Sequence, residues 1–150
     1  MIIQLKQWLA TWSEWDRIER TRTDGLSTKG DEVALRPCGV SELERKATIV
    51  GRCVARMRYS FWLDIQFYKS TGDEKQAQEN AAWLMRLQQW INTEGAKGKA
   101  PRFGASREKE IIRAENGTIQ TVSREGLAIY RIDLTVECYE EYEEEKDGKN

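Results

Sequence analysis

The chain has 150 residues, 33% of them charged, with 24 Lys and Arg against 25 Asp and Glu and no histidine. That length suits one domain whose core needs no metal or disulfide staple, and the even charge balance excludes a global bias toward nucleic acid or toward basic partners. Three scattered cysteines, Cys38, Cys53 and Cys138, form no CxxC pair and supply too few ligands for a structural zinc, and the lack of histidine excludes a Ser or Cys nucleophile paired with it.

At the amino terminus, Lys6, Glu14 and Asp16 interrupt the apolar run that a signal peptide would need. No run of about twenty apolar residues offers a membrane span, so a cytoplasmic protein is expected. IIQLKQWLATWSEWDRI places Ile2, Leu5, Leu9 and Trp12 at helical spacing, with Trp8 and Trp15 widening the stripe, which predicts a helix over 2–18. TRTDGLSTKGDE reads as a mobile loop, and VALRP as a short extended piece ending at Pro37.

From Ile49 to Phe67 the odd positions are mostly apolar, while the even ones include Arg52, Arg56, Arg58, Ser60, Asp64 and Gln66. Such alternation marks a half-buried strand, and its length predicts a turn near Gly51 and a hairpin of 43–50 with 54–69. Cys53 falls on the apolar parity, as Cys138 does further on, which makes both small buried hydrophobes. Trp62 and Tyr68 have the opposite parity, so a helix or another subunit is expected to cover part of that face. The next helix, DEKQAQENAAWLMRLQQWI, has Asp73 and Gln76 placed for a capping box, Gly95 after its last turn, and a buried stripe of Ala77, Ala81, Leu84, Leu87 and Ile91 beside Trp83 and Trp90.

A second mobile loop is expected over 96–106. KEIIRA and TIQTV flank Asn116-Gly117, the strongest short hairpin signal. The same residues with Thr118 form a formal glycosylation sequon, read here as the turn only. Gly126 opens a second long strand in which Ala128, Tyr130, Ile132, Leu134, Val136 and Cys138 alternate with polar residues. The expected organisation is one domain over 1–142 and an acidic, mobile tail over 143–150. The fold class is α+β, an antiparallel β-sheet with one or two helices packed on one face.

Candidate acid/base carboxylates are Glu108, Glu110 and Glu115, or Asp64 with Asp133. Strand parity places Asp64 and Asp133 on solvated faces, where nothing would tune a carboxyl for catalysis. GAKGKAPRFG matches neither a P-loop nor a dinucleotide fingerprint and reads as a loop. Arg45, Lys46, Arg52, Arg56 and Arg58, interleaved with Tyr59, Phe61 and Trp62, could form a basic outward face for single-stranded nucleic acid, or for the acidic 140–145 run of a neighbouring copy. No catalytic residue, metal ligand, cofactor or small-molecule substrate is expected.

Taken together, MIIQLKQWLATW, ATIVGRCVARMRYSFWLDIQFYK, DEKQAQENAAWLMRLQQWI and IIRAENGTIQTVSREGLAIYRIDLTVECYEEY resemble the small minor capsid or tail terminator proteins of tailed phages and phage-tail-like bacteriocins. The resemblance spans nearly the whole chain; residues 24–31 and the tail after Tyr142 exceed its pattern. It implies a structural virion protein rather than an enzyme. Copies would assemble as a ring, typically a hexamer, that caps the tail tube at its head-proximal end, contacts sheath or neck proteins, and lets DNA pass through its lumen, after assembly in the bacterial cytoplasm. Arg56, Arg58, Trp62 and Tyr68 are the expected subunit or tube interface. A neck or head-completion adaptor and a small nucleic-acid-binding module are the alternatives.

Overall fold

The structure is a computed structural model that describes residues 1–27, 30–47, 50–68, 74–104, 110–122 and 126–143. Asp73, Glu108 and the tail beyond 143 lie outside them, as do Thr28 and Lys29 of the first expected loop. The chain is α+β: a five-stranded sheet in the order β1-β2-β3-β5-β4 carries two helices. The strands are β1 (Arg20–Arg22), β2 (Glu32–Ala47), β3 (Arg52–Tyr68), β4 (Ile111–Val122) and β5 (Leu127–Glu143); the helices are α1 (Ile2–Leu9) and α2 (Glu74–Ala96). All neighbours are antiparallel except β1 and β2, whose parallel pairing makes the sheet mixed rather than purely antiparallel.

The amino-terminal helix is shorter than its periodicity suggests. It stops at Leu9, where Thr11 donates its hydroxyl to the Trp8 carbonyl at 2.6 Å, a local bond that competes with helix propagation. A 3-10 turn follows at Trp15–Arg17, and the break lets Trp8, Trp12 and Trp15 all reach the same core. Downstream, β2 runs straight through Pro37, where an end was expected, with register shifts at Pro37/Gly39 and Glu42/Glu44. Beyond Ala34 no described residue pairs with its outer side, and an edge strand with bulges is where proline is tolerated in a sheet. The expected turn near Gly51 is present, but its first strand is all of β2 rather than 43–50.

The odd positions of β3 face the core as their parity predicts: Phe61, Leu63, Ile65 and Phe67 are buried beside Val33, Leu35, Tyr130, Ile132 and Leu134. Both helices pack on this face. On α2 the buried stripe is Asn80, Trp83, Leu84, Leu87 and Ile91. It is rotated from the expected one, leaving Ala77 half-buried and Ala81 exposed, because the large Trp83 ring displaces the small alanines from the interface. Trp83 meets the edge of Phe67 at 5.0 Å and lies 5.1 Å from Trp12, while Trp8 stacks on Trp90 at 4.9 Å. The Trp83 indole N–H donates to the Glu14 carbonyl, and the Arg86 guanidinium grips the Glu14 carboxylate. These contacts tie the amino-terminal segment to α2. The helix ends in a Schellman motif rather than at Gly95: Lys99 N–H reaches the Glu94 carbonyl, Gly98 N–H reaches that of Gly95, and Gly98 has φ +73°.

Asn116-Gly117 is not a hairpin turn. Asn116, at φ +57°, sits in a bulge within β4, and residues on both sides pair with β5. Asn tolerates the left-handed conformation that a bulge can require, so the dipeptide serves here to bend a strand.

Trp83→Ala should destabilise the fold by about 3–5 kcal/mol, because it empties the junction of the Trp12–Trp15 segment, α2 and β3. Trp62→Ala, on the opposite face, should cost about 1 kcal/mol or less. Urea denaturation of the two variants would check the contrast; equal losses would overturn it.

Candidate functional site

The even positions of β3 point to the other face of the sheet, on which no helix packs among the described residues. Arg56, Arg58, Trp62 and Tyr68 all lie on it, but they join three separate clusters rather than one site. Arg56 and Arg58 converge on Glu137 of β5, at 3.9 and 2.7 Å. The Arg56 Nε is buried and has no hydrogen-bond partner among the described residues.

Trp62 belongs to the second cluster, centred on Asp64. Contrary to the parity reading, Asp64 is 2% exposed. Its carboxylate accepts from Arg131 at 2.7 and 3.2 Å and from Arg36 at 3.2 Å. Arg131 in turn covers the Trp62 ring at 4.1 Å, and the Asp64 bond holds its guanidinium above its ordinary pKa, despite partial burial. Register explains the burial: Asp64 lies opposite Arg131 on β5, and Arg36 lies opposite Trp62 on β2, so two long side chains from neighbouring strands close over the carboxylate. Arg36, Arg131 and Glu137 were missed as members of the face. The only signal for them was opposite charge at outward parity on three strands whose register the sequence does not reveal.

Tyr68 belongs to the third cluster, at the end of β3. Its hydroxyl accepts from the Gly30 N–H, its own N–H donates to Asp31, and Gln66 donates to the Gly30 carbonyl. Beside it Glu32 is fully buried and accepts both the N–H and the hydroxyl of Ser27. Burial works to raise the Glu32 pKa, but the Ser27 bonds and the charges of Arg22 and Arg20 outweigh it and hold the carboxyl below its ordinary value. The described part of the 24–31 segment is thus fastened to the sheet.

Of the expected basic residues, Lys46, Arg52, Arg56 and Arg58 share the outward face, and Arg45 does not. Arg45 lies on the helix-bearing face opposite Ala55, ion-paired with Glu42 at 2.6 Å and over the Tyr142 ring at 5.5 Å, because the two register shifts of β2 cancel and return it to the parity of Val33 and Leu35. Lys46 pairs with Glu44, and Arg56 and Arg58 pair with Glu137. Of the candidate carboxylates, Asp64, Asp133 and Glu115 fall on neighbouring strands, with Glu115 directly opposite Asp133, but Asp64, Asp133 and Glu110 are each already engaged. Asp64 is occupied by three N–H donors, Asp133 accepts from Asn116, and Glu110 accepts the amides of Phe103 and Gly104. The last bonds anchor the end of the described 96–104 loop. Among the described residues no three side chains are grouped to hold a metal ion. A groove of about 400 Å³ lies at the end of α2, bounded by Gly95, Lys97, Pro101, Arg102, Glu110 and Ile111.

Two groups on the helix-bearing face respond to alkali. The Tyr59 hydroxyl donates to Glu140, which with burial pushes its pKa up to about 12, and burial pushes the Cys138 thiol up to about 11. Raised folded-state values mean that this stability is fully present below the unfolded values, 10.0 for Tyr59 and 9.0 for Cys138, and is lost as pH climbs through the folded ones. The urea midpoint should therefore fall between about pH 9 and pH 12, and Tyr59→Phe should flatten the upper part of that fall. An unchanged slope in the variant would remove Tyr59 from the account. No protein-family model matches this chain, and no curated protein matches it.

Proposed function

We propose that the protein is a structural subunit of a phage or phage-like tail, a terminator that joins copies of itself in a ring, taken as a hexamer, at the head-proximal end of the tail tube. The observation that supports this reading most is the bare sheet face: long strands carry Arg56, Arg58, Trp62 and the Asp64 cluster on a surface that no helix covers among the described residues. A sheet face kept rigid by buried ion pairs and bearing a half-exposed Trp and several guanidiniums has the composition of protein–protein interfaces, which are enriched in aromatic residues and Arg. On this face Arg56 and Arg58 share Glu137, Arg36 and Arg131 share Asp64, and Lys46 pairs with Glu44, a mixed-charge surface that favours a protein partner over a phosphate backbone held by unpaired cations. In this reading the ring also meets sheath or neck proteins, DNA passes through its lumen, and the chain carries out no catalysis.

Light scattering over a range of concentration, with negative-stain images of the same sample, tests the proposal. The expected result is a ring, or a monomer that forms rings when tail tubes are added. The double variant Arg56→Ala/Trp62→Ala should remain folded and lose ring assembly. A monomer that ignores tubes, or a double variant that assembles as well as the parent, would count decisively against the proposal.

A further inference from the structure

The two edges of the sheet are treated differently, and the difference lies in α2. An edge strand presents unpaired N–H and C=O groups, a template on which another chain can add a strand. On the β1 side, β2 has no partner beyond Ala34 among the described residues, but Pro37, two register shifts and the charged run Glu42, Glu44, Arg45 and Lys46 break up its outer side. β4 also carries charged residues, Arg113 and Glu115, and a register shift follows at Glu115/Thr118, but from Ile111 to Glu115 it pairs regularly with β5 and no proline breaks it. Its outward groups are instead taken by one face of α2.

Asn92 bonds Ala114 twice, as a neighbouring strand would: its Nδ2 donates to the Ala114 carbonyl at 2.9 Å and its Oδ1 accepts the Ala114 N–H at 2.8 Å. One turn earlier, Gln88 Oε1 accepts the Gly117 N–H at 3.1 Å. Three residues beyond Asn92, Gly95 lies so close to the edge that an added Cβ would come within 2.5 Å of Ile112 Cγ2 and 3.0 Å of its carbonyl oxygen. Positions 88, 92 and 95 follow the i, i+4, i+7 spacing of one helix face. That face is beside the buried stripe and not part of it, so apolar packing does not account for its residue choice.

We infer that Gln88, Asn92 and Gly95 form an edge guard, in which side-chain amides of α2 take the place of a sixth strand and deny β4 to a β-strand of a second copy of this chain. The occupant excluded is an antiparallel β4 of another molecule, since such pairing is self-complementary and would satisfy both edges at once. Past Gly117 no guard is needed, because a second register shift at Ile119/Thr121 interrupts the ladder. One consequence concerns assembly: contacts between copies run through sheet faces and loops, and not through a continuous sheet joined at β4. This inference does not depend on the tail reading.

The test compares Gln88→Ala/Asn92→Ala with the parent by light scattering and by amide hydrogen exchange. Exchange at Ala114 and Gly117 should quicken by roughly tenfold or more, and the variant should form concentration-dependent species heavier than any the parent forms. Asn92→Asp, which keeps the acceptor for the Ala114 N–H and adds a charge at the edge, should restore the parent's mass distribution. Fast exchange with no change in mass would overturn the guard and leave the two amides as ordinary helix-to-sheet bonds. If the double variant does not fold, Asn92→Ala alone is measured against the same two outcomes.

Discussion

The packing of Trp83 on Phe67 is the contact on which the rest of the molecule depends. It brings α2, the amino-terminal tryptophans and the middle of the sheet to one point. Large aromatic side chains dominate core energetics because each removes so much apolar surface from water. Here they are concentrated at one end and on one face of strands up to 17 residues long. The helices follow the aromatics. Among the described residues, no helix covers the other face or the far ends of β2, β3 and β5.

A bare sheet face is ordinarily solvated and polar, yet this one buries Glu32 and Asp64. Such burial is costly unless every oxygen is met by a donor. Ser27 meets Glu32, and Arg36 with Arg131 meets Asp64. The network links β2, β3 and β5 through side chains as well as through the backbone ladder, fixes the pose of Trp62, and fastens the described part of the 24–31 segment. A face ordered in this way can be presented to a partner without losing side-chain entropy on contact. That property suits the proposed ring subunit, whose partners are copies of itself and a tube.

The same division of labour applies to the edges. Charge, proline and bulges interrupt β2, while amide side chains from a helix occupy β4. Under the inferred edge guard, both solutions leave faces, rather than edges, for contact with other copies.

The sequence by itself determined the α+β class, the core parity of β3 and β5, the turn near Gly51 and the long second helix. Each of these rests on a local repeat, of two or of 3.6 residues, that apolar burial enforces along the chain. Only the tertiary structure decided the remainder. Parity marked Asp64 as outward, which it is, but could not say that Arg36 and Arg131 would close over it, because that depends on register between strands distant in sequence. Asn116-Gly117 carries the conformational preference of a hairpin turn, and its use as a bulge depends on β5 pairing with both of its flanks. Ala81 fitted the helical period, but the size of Trp83 turned the helix away from it. Periodicity tells which side of an element is buried; partners across the sheet, and the space they leave, decide what each buried or outward residue does there.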